Sequence, residues 1–171
     1  MMKSPTTAAD KTDEPVMTVI RSASTMNLLQ TATIEYEIAR DDTDGVWVRL
    51  SGYDGNGYYS KAWVSLDSIM SSLEAFAAKH PLVSLALKDV YPPNTSCNSW
   101  SFLMAVLVFE GLLERLEDNK RHFRLCDPAP FLESVTNLKA SHSPPGKGKP
   151  RAKAKAAARM RKSAPKASPG E

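Results

Sequence analysis

The stretch Phe102-Leu-Met-Ala-Val-Leu-Val-Phe-Glu-Gly-Leu-Leu-Glu-Arg-Leu-Glu-Asp-Asn-Lys-Arg-His-Phe-Arg-Leu125 decides the fold. Its first eight residues are all apolar, and with Trp100 just before them they describe a helix buried on most sides. Asn94, Thr95 or Ser96 can cap that helix, and Gly111 stands where a helix C-terminus needs a residue free to turn left-handed. Beyond the glycine, residues 112–116 and 122–126 read as two short extended runs around the polar loop Glu117-Asp118-Asn119-Lys120.

Working toward the N-terminus, the helical signals continue. Asp67 is placed to cap a helix with Ile69, Leu73, Phe76 and Ala77 on one stripe, ended by His80-Pro81. Ser84 opens a shorter helix carrying Leu85, Leu87 and Val90, stopped by Pro92-Pro93. Before residue 67 the period changes to two. Ile34, Tyr36 and Ile38 alternate with Thr33, Glu35 and Glu37, and Val46, Val48 and Leu50 alternate with Trp47 and Arg49. The turns Asp41-Asp42-Thr43-Asp44-Gly45 and Asp54-Gly55-Asn56-Gly57 separate these runs from a third over 58–66, so the pattern predicts a three-stranded antiparallel meander. Residues 1–27 read as a polar, disordered or extended lead-in, with a short strand possible only at 16–20. After Asp127-Pro128 a last helix is expected over 130–138.

The expected fold class is therefore α+β. A disordered or extended lead-in (1–27) precedes a meander (28–66), a helical unit (67–138) and a basic tail (139–171) that cannot bury enough apolar area to order itself. Charge divides along the same line. Residues 139–171 hold ten basic side chains and one acid, a net charge of +9; residues 1–138 hold twelve basic and 18 acidic, a net charge of −6. A basic arm on an acidic body points to a polyanionic partner.

The helix, short helix, longer helix, Gly-Leu-Leu and hairpin of residues 67–126 resemble the winged helix-turn-helix superfamily. That resemblance implies DNA binding, with the third helix as recognition helix and the hairpin as the wing against the DNA backbone. The recognition-helix candidate carries no Lys or Arg between Asn94 and Phe109. Its groups able to meet a groove are those of the first turn, Thr95, Ser96, Asn98 and Ser99. The candidate wing offers Lys120, Arg121 and Arg124, with His122, beside the acids Glu114, Glu117 and Asp118.

The tail segment Lys147-Gly-Lys-Pro-Arg-Ala-Lys-Ala-Lys-Ala-Ala-Ala-Arg-Met-Arg-Lys-Ser-Ala-Pro-Lys166 resembles the Lys/Ala/Pro arms of linker-histone-like proteins. Its phosphate-contact candidates are Lys147, Lys149, Arg151, Lys153, Lys155, Arg159, Arg161, Lys162 and Lys166. Met160 is the one large apolar side chain from Lys139 onward, so no membrane insertion is expected. The segment Gly57-Tyr-Tyr-Ser-Lys-Ala-Trp-Val-Ser-Leu-Asp-Ser-Ile69 resembles small accessory and regulatory proteins of bacterial integrative and conjugative elements.

Other chemistry finds little footing. Gly52-Tyr-Asp-Gly-Asn-Gly57 joins strand to strand, whereas a phosphate-cradling loop needs a helix N-terminus behind it. Cys97, Cys126, His80, His122 and His142 match no metal spacing, no local signature of a nucleophilic triad occurs, and neither enzyme activity nor a cofactor is expected. The aromatics Trp47, Tyr53, Tyr58, Tyr59 and Trp63 could stack on bases, but packing of a small sheet is the expected use. No run approaches the ~18 apolar residues of a spanning helix and no signal-peptide core precedes Pro15. Two cysteines suit a reducing cytoplasm, at the nucleoid if the source is bacterial. The expected role is a DNA-binding accessory or transcriptional regulatory protein. The rival role is a protein–protein adaptor or homodimer with the tail as tether.

Overall fold

The computed structural model describes residues 16–138; the expected disorder of the first fifteen residues and of the tail from residue 139, with its nine phosphate-contact candidates, lies outside them. The described chain is α+β. Four antiparallel strands, β1 (Thr18–Met26), β2 (Thr33–Arg40), β3 (Val46–Tyr53) and β4 (Val64–Ser65), form a sheet in that order. Ile34, Tyr36 and Ile38 face the core from β2, with Val48 and Leu50 beside them on β3, as their alternation predicts. Asp41 closes the β2–β3 turn: its carboxylate accepts from Thr43 N (2.9 Å), Gly45 N (2.7 Å) and Trp47 Nε1 (2.7 Å). Those donors, the indole first, pull its carboxyl down to about 2.

Two expectations for the sheet need correction. The lead-in is a strand over nine residues, and β1 pairs with β2 along its whole length. Its side chains hide this, because Ser22, Ser24 and Thr25 are polar and Ile20 is the one buried apolar residue on it. The ladder to β2 holds an edge strand that hydropathy cannot reveal. The third run expected at 58–66 pairs only at Val64 and Ser65. The chain before it leaves the sheet to cover the start of the second long helix, where its hydrogen bonds go instead.

Helix α1 (Leu66–Ala77) buries Ile69 and Leu73, and its N-cap is Ser65, whose Oγ accepts from Ser68 N at 3.2 Å. Asp67, expected as the cap, stands in the first turn, where its charge meets the positive end of the helix dipole. The short helix over Ser84–Val90 is a 3-10 helix that buries Ala86 and Leu87, and Ser72 Oγ donates to Ala86 O at 2.6 Å. Helix α2 (Cys97–Phe109) is capped by Ser96 and buries every residue from Phe102 to Leu107. It packs on the inner face of β1, β2 and β3 and against the 3-10 helix. Gly111, at φ +79°, turns the chain out of α2, and Leu112 N bonds back to Leu107 O at 2.9 Å.

The hairpin of β5 (Leu113–Arg115) and β6 (Phe123–Leu125) follows. A bridge from Phe123 N to Leu82 O, 3.0 Å, fastens it to the segment between α1 and the 3-10 helix. Helix α3 (Ala129–Thr136) buries Phe131 and Val135. One hydrophobic cluster runs from Ile20 on β1 to Val135 on α3, so the sheet and the helices share a core. A polar clasp joins the same ends: Glu110 takes Arg21 Nη1 at 2.5 Å and the Tyr36 hydroxyl, while Arg21 Nη2 donates to Ser134 Oγ at 3.2 Å. Burial and the Glu110 carboxylate push the Tyr36 phenol up. Among the described residues no helix is long and apolar enough to cross a membrane.

Tyr91 is 5% exposed, and its hydroxyl has no hydrogen-bond partner among the described residues. A buried orphan hydroxyl costs about 1–3 kcal/mol, so Tyr91→Phe is expected to leave thermal stability equal or higher, by up to about 1 kcal/mol. Loss of more than that in a thermal melt would mean the hydroxyl has a partner.

Candidate nucleic-acid interface

Five separate segments meet at a cleft of about 550 Å³. They are the β1–β2 turn, the end of β3, the start of the 3-10 helix, the first two turns of α2 and the β5–β6 hairpin. Asn27, itself buried, shapes the first of these: its N–H donates to Ala32 O and its Oδ1 accepts from Thr31 N, both at 2.9 Å. Phe102 and Phe123, nearly buried, form the apolar floor, and half-buried Tyr53 lies against Phe102 with ring centroids 4.4 Å apart.

The helix-entrance residues have unequal fates. Thr95 Oγ1 donates to Pro92 O at 2.7 Å, and Ser96 caps α2. Ser99 is fully buried, its Oγ accepting from Ser60 N at 2.9 Å. These three are committed to the fold. Asn98 does line the cleft, while its Nδ2 donates to Tyr58 O at 3.1 Å. Gly57 makes that approach possible. Its φ is +135°, and a Cβ there would sit 2.6 Å from Asn98 Nδ2. The residue 57–60 loop thus lies over the end of α2 that a DNA groove would have to admit.

The hairpin divides as well. Lys120 and Arg121 are exposed and line the cleft. Arg124 lies outside it, paired across the strands with Glu114, which raises the affinity of its guanidinium for its proton. Its charge is largely spent locally.

No known family, curated protein or solved structure matches this chain. The interface must be judged on its own chemistry.

That chemistry includes Arg115, which the sequence pattern passed over. Its Nη1 donates to Leu28 O at 3.1 Å and its Nε to Lys120 O, so it ties the first turn to the hairpin and lines the cleft between them. Strand parity carried the clue: Arg115 sits opposite the buried Phe123, two residues on from buried Leu113. Of the six arginines described, four are ion-paired: Arg21 with Glu110, Arg40 with Asp44, Arg49 with Glu37 and Arg124 with Glu114. The two with no carboxylate partner among the described residues are Arg115 and Arg121, and both line this cleft. Among the described residues no acid lines it.

The sheet aromatics are occupied elsewhere. Trp47 bonds Asp41, Trp63 lies under the Arg49 guanidinium at 4.5 Å, and Tyr59 packs on Tyr53 and Phe102. Tyr53 stays half-buried at the cleft, and Tyr58 is the most exposed of the five, at 90%. Among the described residues no group of three or more His, Cys, Asp or Glu is placed to hold a metal ion.

Proposed function

We propose that this chain is a DNA-binding accessory or regulatory protein whose α1–β6 segment acts as a winged-helix-like body and whose residues 139–171 supply electrostatic affinity. The order helix, 3-10 helix, helix and hairpin supports the body's part, with the Leu82–Phe123 bridge fixing the hairpin to the helices. The observation that carries the reading is electrostatic. A +9 segment follows a body in which, among the described residues, the two arginines without a carboxylate partner, joined by Lys120, converge on one cleft that no acid lines. Phosphates satisfy guanidinium groups of this kind, and each one neutralised releases counterions from the nucleic acid.

Helix α2 is a poor reader of bases. Its middle is buried on every side and its entrance is overlaid by the residue 57–60 loop, so phosphate contacts dominate and sequence preference is modest. In competition binding, residues 1–138 should prefer a selected duplex over a scrambled one by only about 1–3 kcal/mol. Arg121→Ala should remove most of that preference. A preference untouched by that change would place base readout elsewhere. No duplex binding at all would leave protein docking as the body's role.

One observation favours that second, adaptor-like reading. Met26, Leu29 and Phe109 are exposed apolar side chains, and Met26 and Phe109 line a shared hollow where the β1–β2 turn meets α2. A protein partner or a second copy of the chain would cover them.

A further inference from the structure

We propose that the cleft binds a nucleoside phosphate, the base lodged against Tyr53 and Phe102 and the phosphate held by Arg115, Lys120 and Arg121. In part this rests on the nucleic-acid reading, since it names a form of nucleic acid the cleft takes beyond duplex phosphates: an unpaired nucleotide. Its volume of about 550 Å³ lies within the roughly 300–1,000 Å³ usual for small-molecule sites.

The walls match the three parts of a nucleotide. Tyr53 and Phe102 give an aromatic surface, partly open at Tyr53, and aromatic surfaces stack with any base. The side-chain oxygen of Asn98 and the hydroxyl of Ser101 offer an acceptor and a donor for a base edge or a sugar. Arg115 is held in place by the carbonyls of Leu28 and Lys120, so its guanidinium is positioned before any ligand arrives. Arg121 and Lys120, in the exposed hairpin turn, are free to close on a phosphate. A plain anion site would have no use for the aromatic wall, and a plain apolar site would not gather three cations without an acid. In a duplex each base is stacked inside the helix, whereas a strand end, a flipped base or a free nucleotide presents a ring face and a phosphate together.

The two sources of this ligand, a single strand and a free nucleotide, are separated by experiment on the full-length protein. Fluorescent adenosine monophosphate, a labelled oligothymidylate and a labelled duplex are titrated in parallel. Amide NMR shifts are followed with unlabelled mononucleotide. Shifts are expected at residues 27–31, 98–102 and 120–123. Arg121→Glu, an exposed change with no side-chain partner to lose among the described residues, should weaken mononucleotide and oligothymidylate binding by about tenfold or more. Duplex binding, carried largely by residues 139–171, should weaken by less. Lys120→Glu should act in the same direction. Oligothymidylate bound at least about tenfold tighter than the mononucleotide would identify a strand as the ligand, and equal affinities a free nucleotide.

Inorganic phosphate competing as well as the mononucleotide would overturn the role of the aromatic wall. Shifts confined to other residues, or unchanged nucleotide and single-strand binding in both variants, would overturn the site while leaving duplex binding intact. Failure of the full-length protein to bind either DNA while still taking the mononucleotide would instead sink the nucleic-acid reading and leave the cleft.

Discussion

Deletion of residues 139–171 is expected to lower affinity for any duplex by about a hundredfold at low salt and to flatten the salt dependence by several units of slope. Ten cations leave with that segment and one acid, and what remains has a net charge of −6. Each phosphate contact on duplex DNA contributes a slope of about −0.9 in log K against log salt, so engagement of even half the cations accounts for four to five units. The residual slope of the 1–138 protein should be about 2–3, the share expected for Arg115, Lys120 and Arg121. Deletion should leave the folded core unchanged, because among the described residues the hydrophobic cluster runs no further than Val135. Equal slopes for the two proteins would show that the segment does not touch phosphate.

Leu107→Ala is expected to cost roughly 2–5 kcal/mol. Leu107 is 1% exposed on α2, the helix against which both the sheet and the 3-10 helix pack. Truncation there opens a cavity that close-packed neighbours cannot fill, and the loss combines the missing transfer energy with the cavity itself. For a folded unit of this size, thermal melts should fall by about 3–5 °C per kcal/mol. Leu85→Ala on the 3-10 helix, 53% exposed, should stay within about 0.5 kcal/mol and serves as the control. A Leu107→Ala melt indistinguishable from that control would mean α2 is not the centre of the core.

Much of the architecture could be read from local pattern. The alternation of Ile34, Tyr36 and Ile38, the stripe of Ile69 and Leu73, and Gly111 after an all-apolar run each correspond to the element they predict. What escaped has physical causes. Strand β1 is mostly Ser, Thr and Ala with one buried apolar residue, Ile20, and it is held by the ladder to β2 rather than marked by hydropathy. The 58–63 run alternates like a strand, yet its backbone is taken by Asn98 and Ser99 from 39–40 residues away. That tertiary contact also removes Ser99 from any surface role.

The cleft was legible only in part. Lys120 and Arg121 stand out as a basic loop, and Asn98 as a helix entrance. Arg115 sits between Glu114 and Leu116 in a strand whose surface pairing looked neutral. Its bond to Leu28 O spans 87 residues, Asn27 enters from the β1–β2 turn and Tyr53 from the end of β3. No local window holds such a site, because the fold assembles it from five places. Charge supplies the criterion that sequence lacks: the unpaired arginines are recognisable only once the other four have been matched to their carboxylates.

The most direct test of the account is fluorescence anisotropy of the full-length protein with labelled duplex and single-stranded DNA, from the lowest practicable salt upward. Binding at low salt that falls linearly in log K against log salt, with a slope set by at least five phosphate contacts, is the predicted result. No affinity for either DNA at the lowest salt would contradict it and leave the body's exposed apolar hollow, and a protein partner, as the explanation of the fold.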